Sequence, residues 1–159
     1  MTLAVADDLL GSYSWPIYEA GVRMPYFTHA VPAGAPSDAQ GIGRWSCRLE
    51  DNMLRWSPAI YELFGLPIDQ PLSRSRTVSL YLPESRDAME ELRDYAIRHH
   101  RGFTLDARIR RQNGEERWMR LSTMPFVCER RVVRLIGTKQ DVTAEYEEAD
   151  TSGVIAQGH

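Results

Sequence analysis

Phe103-Thr104-Leu105-Asp106-Ala107-Arg108-Ile109-Arg110 alternates apolar and polar residues, and Arg111-Gln112-Asn113-Gly114-Glu115 then breaks the alternation. Period two is the mark of a strand with one buried face. Asn113-Gly114 suits a type I′ turn, since both residue types tolerate positive φ. The chain is therefore predicted to return as a second strand from Glu116 to about Val127. Cys128-Glu129-Arg130 makes a further turn without a glycine, and Arg131 to Gln140 forms a third strand. On that strand Val133, Leu135 and Gly137 lie opposite Val132, Arg134 and Ile136. Asp141-Val142-Thr143 and an acidic segment, Ala144 to Asp150, come directly after it. The stretch reads as a sheet with an exit path.

Upstream of this sheet, Pro83 opens the longest predicted helix, which runs to about Arg101. Glu84 and Asp87 stand at its positive end and Arg98, His99, His100 and Arg101 at its negative end, an order that complements the helix dipole. Gly102 is expected to stop it. Ala88, Met89, Leu92, Tyr95 and Ala96 recur at helical spacing and form a stripe against the sheet. Thr77 to Leu82 reads as one helical turn after a polar loop over 66–76. Ser57-Pro58 reads as a helix start, with Ser57 as cap and Pro58 at the first position. Ile60, Leu63 and Phe64 form that helix's apolar face, and Gly65 ends it. Residues 42–56 form a hairpin around Glu50-Asp51-Asn52.

Residues 1–40 are the least regular part. Leu3 to Leu10 suits a short helix, prolines and glycines then break any regular period, and 31–40 has linker composition. Tyr13, Trp15, Ile17, Tyr18, Tyr26 and Phe27 are too apolar for a free tail. This arm is expected to lie on the domain or on a partner.

The bulk properties exclude several classes. The chain has 159 residues, enough for one domain with its own core. A net charge of −3 gives no global attraction for nucleic acid, and no apolar run is long enough to span a membrane. Cys47 and Cys128 form no CxxC pair, and the first ten residues lack the positive region of a signal peptide. A reducing cytoplasm fits both observations. No nucleophile–base pair, paired carboxylates or glycine-rich phosphate loop has recognisable spacing, so no enzymatic activity is expected.

Five pieces in order carry a resemblance. They are Gly43-Arg44-Trp45-Ser46-Cys47, Trp56-Ser57-Pro58-Ala59-Ile60-Tyr61-Glu62-Leu63-Phe64-Gly65, Leu82-Pro83-Glu84-Ser85-Arg86, Arg108 through Trp118, and Ile136-Gly137-Thr138-Lys139-Gln140-Asp141-Val142-Thr143. Together they resemble a PAS domain of the type found in bacterial sensor kinases and cyclic-dinucleotide signalling proteins. Ser85 and Asn113 each replace a usual Asp and keep its local physics. The resemblance implies an α+β fold over 41–143: a five-stranded antiparallel sheet in the order 2-1-5-4-3, with helices over one face and a small pocket beneath them. It makes 1–40 an arm and linker and 144–159 a short helix and tail. It implies a stand-alone sensory or regulatory domain that binds a small molecule or cofactor, or a ligandless interaction module. A homodimer or a signalling protein is the implied partner.

The candidate pocket residues are Met89, Leu92, Phe103, Leu105, Leu121 and Ile136. Trp45, Trp56 and Trp118 are read as packing residues first. Asp141 and Thr143 are the candidate relay, and both also suit a helix N-cap. His99 and His100 lie near where some family members hold haem, but a histidine at a helix C-terminus is equally explained by the dipole. The light-oxygen-voltage branch of that family carries a flavin-reactive cysteine just before the long helix; Ser73 to Pro83 has none, so flavin photochemistry of that kind is not expected. No cofactor is required and no metal site is expected. Arg108, Arg110, Arg111, Arg117, Arg120, Arg130, Arg131 and Arg134 read as a solvated sheet face rather than a binding patch. The segment after Thr143 spans about two heptads, too short for a stable coiled coil by itself. Output is therefore expected to leave through a surface.

Overall fold

The computed structural model describes residues 10–24, 41–68 and 70–149. The linker reading of 31–40, the aromatic pair Tyr26-Phe27, most of the predicted helix at 3–10 and the tail from 150 lie outside the described residues. The elements are β1 (Ser14–Pro16), a 3-10 turn (Ile17–Glu19), α1 (Ala20–Arg23), β2 (Ile42–Arg48), β3 (Met53–Trp56), α2 (Pro58–Phe64), α3 (Arg74–Ser79), α4 (Pro83–His99), β4 (Arg101–Arg110), β5 (Glu116–Cys128) and β6 (Arg131–Asp141). Residues 143–149 are helical and are called α5.

The period-two reading is realised in β4, where Phe103, Leu105, Ala107 and Ile109 are all buried. The sheet order is β1-β4-β5-β6-β2-β3 with every pair antiparallel. Read from the other edge, β3-β2-β6-β5-β4 is the expected five-strand order. A sixth strand is added by the arm, as Ser14 pairs with Phe103 and Pro16 with Arg101. The inner face of the sheet packs on α2 and α4 around Ile60, Phe64, Leu92 and Leu135. A smaller cluster of Trp15, Ala20 and Met24 lies against Met124.

Several local devices differ from the sequence reading. Ser57 does not cap α2; its Oγ accepts the Arg44 N–H at 2.9 Å and ties the helix start to β2. Pro58 does occupy the first turn, and Gly65 ends the helix at φ 71°. The carbonyls at the end of α2 are bound by Arg111, whose Nε and Nη2 donate to Leu63 O and Glu62 O at 3.1 and 2.9 Å. α3 begins three residues earlier than the predicted turn, because Ser73 caps it by accepting the Arg76 N–H.

Gly102 is not the stop of α4. His100 takes the left-handed C-terminal position at φ 55°. Gly102 belongs to β4, and a Cβ there would meet the Trp15 ring at 2.2 Å. Its missing side chain makes room for the indole of the arm. The two hairpins exchange turn chemistry as well. Only Gly114 has positive φ in the first loop, and Asn113 instead accepts the Glu115 N–H through Oδ1 at 2.9 Å. The I′-like pair is Glu129-Arg130, at φ 50° and 66° between the paired residues Cys128 and Arg131.

Candidate ligand cavity and relay strand

Between α3, α4 and the inner sheet face lies a cavity of about 50 Å³. Of the sequence candidates, Met89, Phe103 and Leu121 line it. Leu92 and Leu105 are buried in the surrounding core and give it support. Ile136 is displaced from this group. Its neighbour Leu135 is 1% exposed and lines the cavity, while Ile136 pairs with Met124, the residue that packs on the arm's cluster. Adjacent residues of a strand face opposite sides, so Leu135 and Ile136 cannot share the site.

The same parity carries Lys139 inward, two residues beyond Gly137. Lys139 is 7% exposed and lines the cavity. Its Nζ lies 5.2 Å from the ring centres of Trp56 and Phe64, 5.5 Å from Trp45 and 5.8 Å from Tyr81. The negative ring faces offset part of the lost hydration of the ammonium. Burial nevertheless pushes its pKa down to about 7, with Cys47 opposing slightly. Burial also raises the Tyr81 hydroxyl above its ordinary range. Thr123 Oγ1 and the indole N–H groups of Trp45 and Trp56 are buried without a hydrogen-bond partner. Trp45 reaches this place because Gly137 is small: a Cβ on Gly137 would meet Trp45 Nε1 at 2.8 Å and the Ser122 carbonyl oxygen at 1.9 Å.

The charged rim is formed by Arg74 and Arg93, with Arg74 paired to Glu90. Arg93 donates to Asn52 Oδ1 at 3.4 Å, and burial lowers its pKa. Lys139 was not among the sequence candidates. The signal was present, since a lysine at an inward position of an otherwise apolar strand face is out of pattern.

The relay candidates sit on the same strand, just past Lys139. Asp141 Oδ1 accepts the Thr143 N–H at 3.0 Å and the Thr143 hydroxyl at 2.6 Å. Thr143 Oγ1 in turn accepts the Trp118 N–H at 2.9 Å, and Val142 N–H donates to Trp118 O at 2.9 Å. Arg117 holds the other Asp141 oxygen at 3.2 Å. The Asp-Val-Thr element thus both caps α5 and pins it to β5.

α5 turns back onto the outer sheet face. Tyr146 stacks on Trp118 with ring centres 4.1 Å apart and 9° between planes. Its hydroxyl donates to Asp106 Oδ2 at 2.6 Å, and burial followed by this bond pushes its pKa up to about 12. Arg120 joins Asp106 at 2.9 and 3.0 Å to Glu145 at 2.9 Å, and its pKa is raised by the Asp106 bond. The arm borders the same region, as Trp15 Nε1 donates to Thr104 Oγ1 at 3.1 Å and Arg101 Nε to Ser14 Oγ at 2.7 Å.

The remaining candidates fall elsewhere. His99 and His100 are exposed at the end of α4, with His99 against Tyr95, and neither lines the cavity. A space of about 50 Å³ is also far below a haem or a flavin, since drug-sized ligands fill roughly 300 Å³ or more. Cys47 is buried and Cys128 exposed, both as free thiols. Of the arginines, Arg108, Arg110, Arg111, Arg117 and Arg120 pair with Glu115, Glu116, Asp106, Asp141 or Glu145. Arg130, Arg131 and Arg134 lie apart from these at the β5–β6 tip. Among the described residues no group of His, Cys, Asp and Glu could hold a metal ion, and no helix is long and apolar enough to cross a membrane.

Comparison with known proteins agrees with this geometry. A protein of Escherichia coli named Probable diguanylate cyclase DgcE is 27% identical over 107 residues, which is 67% of this chain and 10% of that protein. The chain therefore spans about a tenth of that relative. A sensory box histidine kinase/response regulator from Burkholderia thailandensis superposes with a TM-score of 0.67 at 16% identity, covering 79% of this chain and 95% of that one. The N-terminal domain of a diguanylate cyclase with PAS/PAC sensor from Marinobacter aquaeolei superposes at 0.61 with 19% identity, covering 66% and 98%. At these identities the two structures speak to the fold. The family model described as the PAS fold matches residues 53–139, more than half of the chain, and the chain belongs to that family.

Proposed function

We propose that this PAS domain is a sensory input module in which occupancy of the cavity is read out at α5. The observation that carries the reading is the position of Lys139 and Asp141 on one strand. Lys139 reaches the cavity from the inner face, and Asp141, two residues on, holds the element that caps and pins α5. A ligand that moves Lys139 displaces the end of β6, and α5 is held to the sheet through Trp118, Asp106 and Arg120. Small shifts in a packed core become discrete changes at such a latch. The output is a change in the surface that α5 and the arm offer to a signalling partner. The domain spans 41–143, with 1–40 as arm and 144–159 as exit segment, and it works as a non-catalytic part in the cytoplasm.

Hydrogen exchange tests this directly. Ligand binding should change protection of 143–149 and of the end of β6 by at least severalfold. Unchanged exchange there on saturation with any bound ligand refutes the relay.

A second reading is favoured by the cavity's small size and by the exposed side of the arm, where Tyr18 and Val22 are both 84% exposed. In it the core binds nothing and the arm forms a homodimer. Sedimentation of the full chain and of a chain lacking residues 1–40 decides it. An unchanged monomer in both defeats the dimer.

A further inference from the structure

The inner cavity differs from a simple packing defect in what lines it. Apolar voids in cores are lined by apolar atoms and stay dry. Here Lys139, Trp45 and Thr123 are each more than nine-tenths buried, at 7%, 8% and 1% exposure. All three line the cavity. Thr123 pairs with Gly137 across the β5–β6 ladder, and Trp45 Nε1 lies over that same Gly137. Lys139 is the next inward residue along β6. The three donors therefore occupy one stretch of a single sheet face. The Trp45 N–H and Thr123 hydroxyl have no partner, a state that costs on the order of 1–3 kcal/mol for each group.

The charges at the site are unequal. Lys139, Arg74 and Arg93 face it, and Glu90 is engaged by Arg74. The volume of about 50 Å³ is also specific. One water-sized sphere needs about 10–15 Å³, so the space of about 50 Å³ takes about three to five heavy atoms.

We propose that the cavity is a binding site for a small monoanion with a planar oxygen-bearing head, a carboxylate such as formate or acetate or an inorganic oxyanion of similar size. Its counter-charge is the Lys139 ammonium, and its hydrogen-bond donors are Trp45 Nε1 and Thr123 Oγ1. The four rings face the ammonium, and the anion occupies the cavity side. This assignment rests on the sensory reading above and supplies its ligand class.

The anion requires the protonated amine, so binding is linked to pH. With the empty site titrating near pH 7, affinity should fall about tenfold per pH unit above it, as binding then takes up a proton. The other titratable or charged groups facing Lys139 are Cys47 on β2, Tyr81 and Arg74 around α3, and Glu90 and Arg93 on α4. A Cys47→Ala variant should leave the pH slope unchanged and so assigns it to Lys139.

Calorimetric titration of the full chain with sodium formate, acetate, bicarbonate and nitrate at constant ionic strength, at pH 6, 7 and 8, tests the proposal. At least one salt should bind saturably in a one-to-one ratio, with proton uptake revealed by changing the buffer. Lys139→Met should weaken it at least tenfold, and Trp45→Phe, which removes the N–H donor along with part of the ring, severalfold. No saturable binding by any of the salts, or binding unchanged in Lys139→Met, overturns the assignment. Hydrogen exchange in the same samples separates the two claims. A bound anion with unchanged α5 leaves the site standing and removes the relay. Uncharged probes of equal size, ethanol and acetamide, that bind better than the anions remove the anion assignment and leave the sensor.

Discussion

Tyr146 donates its phenolic hydrogen to Asp106 at 2.6 Å across the outer face of the sheet, and this bond turns the exit helix back onto the domain. Asp106 stays paired with Arg120 when the bond is removed. Tyr146→Phe should therefore cost only about 1 kcal/mol locally and leave global unfolding almost unchanged. Amide exchange in 143–149 should rise about fivefold, which exchange mass spectrometry reads.

Trp15 rests on Gly102, and a Cβ there would meet the ring at 2.2 Å. Gly102→Ala should push the arm's strand off β4 at a cost of about 1–3 kcal/mol. Trp15→Ala vacates a site only 1% exposed and should cost about 3–5 kcal/mol. Urea unfolding measures both. The double variant should cost less than the sum, because each change removes the same contact.

Lys139 gives stability a definite pH dependence. Its folded pKa is near 7, below its unfolded value of 10.5, so between these limits the unfolded chain binds more protons. Its contribution to stability should be flat below pH 7 and rise from there toward pH 10, by on the order of a few kcal/mol. Above pH 10 the raised Tyr81 opposes any further gain, since the unfolded phenol then loses its proton first. Lys139→Met should be more stable than the native chain at pH 7 and lose the rise, as denaturant midpoints at pH 6, 8 and 9.5 would reveal.

Glu129 and Arg130 hold positive φ at 50° and 66° without the residues that favour it. Left-handed backbone costs an ordinary residue about 1 kcal/mol or more. Glu129→Asn with Arg130→Gly should raise stability by about 1 kcal/mol, readable as an upward shift in melting temperature. Anion binding and the α5 contacts should be untouched, since this turn is remote from the cavity-lining residues.

The sheet was legible wherever local pattern and tertiary packing agreed. β4 is the clearest case: its alternation directly encodes which residues meet the helices. Ser57 and Gly102 were misread because each fits a local role, as a cap and as a helix stop, that a distant partner overrides. Neither Arg44 beside Ser57 nor Trp15 above Gly102 is adjacent in sequence. The turns were exchanged for a related reason. Two residues between strands demand positive φ at Glu129-Arg130 by register alone, while the longer loop around Asn113 has room to avoid it at that residue.

The sequence by itself determined the strand parity, the order of elements and the Asp141-Val142-Thr143 exit, since each depends on spacing along the chain. Parity also placed Lys139 on the inward face, two residues beyond Gly137. Only the tertiary structure decided that four rings from β2, β3, α2 and the segment before α4 surround that lysine. It alone decided that Trp15 adds a strand to β4 and that Tyr146 folds the exit helix back onto Asp106. These contacts join residues 40 to about 90 positions apart. Their energies come from burial and from charges brought together, and no local period records either.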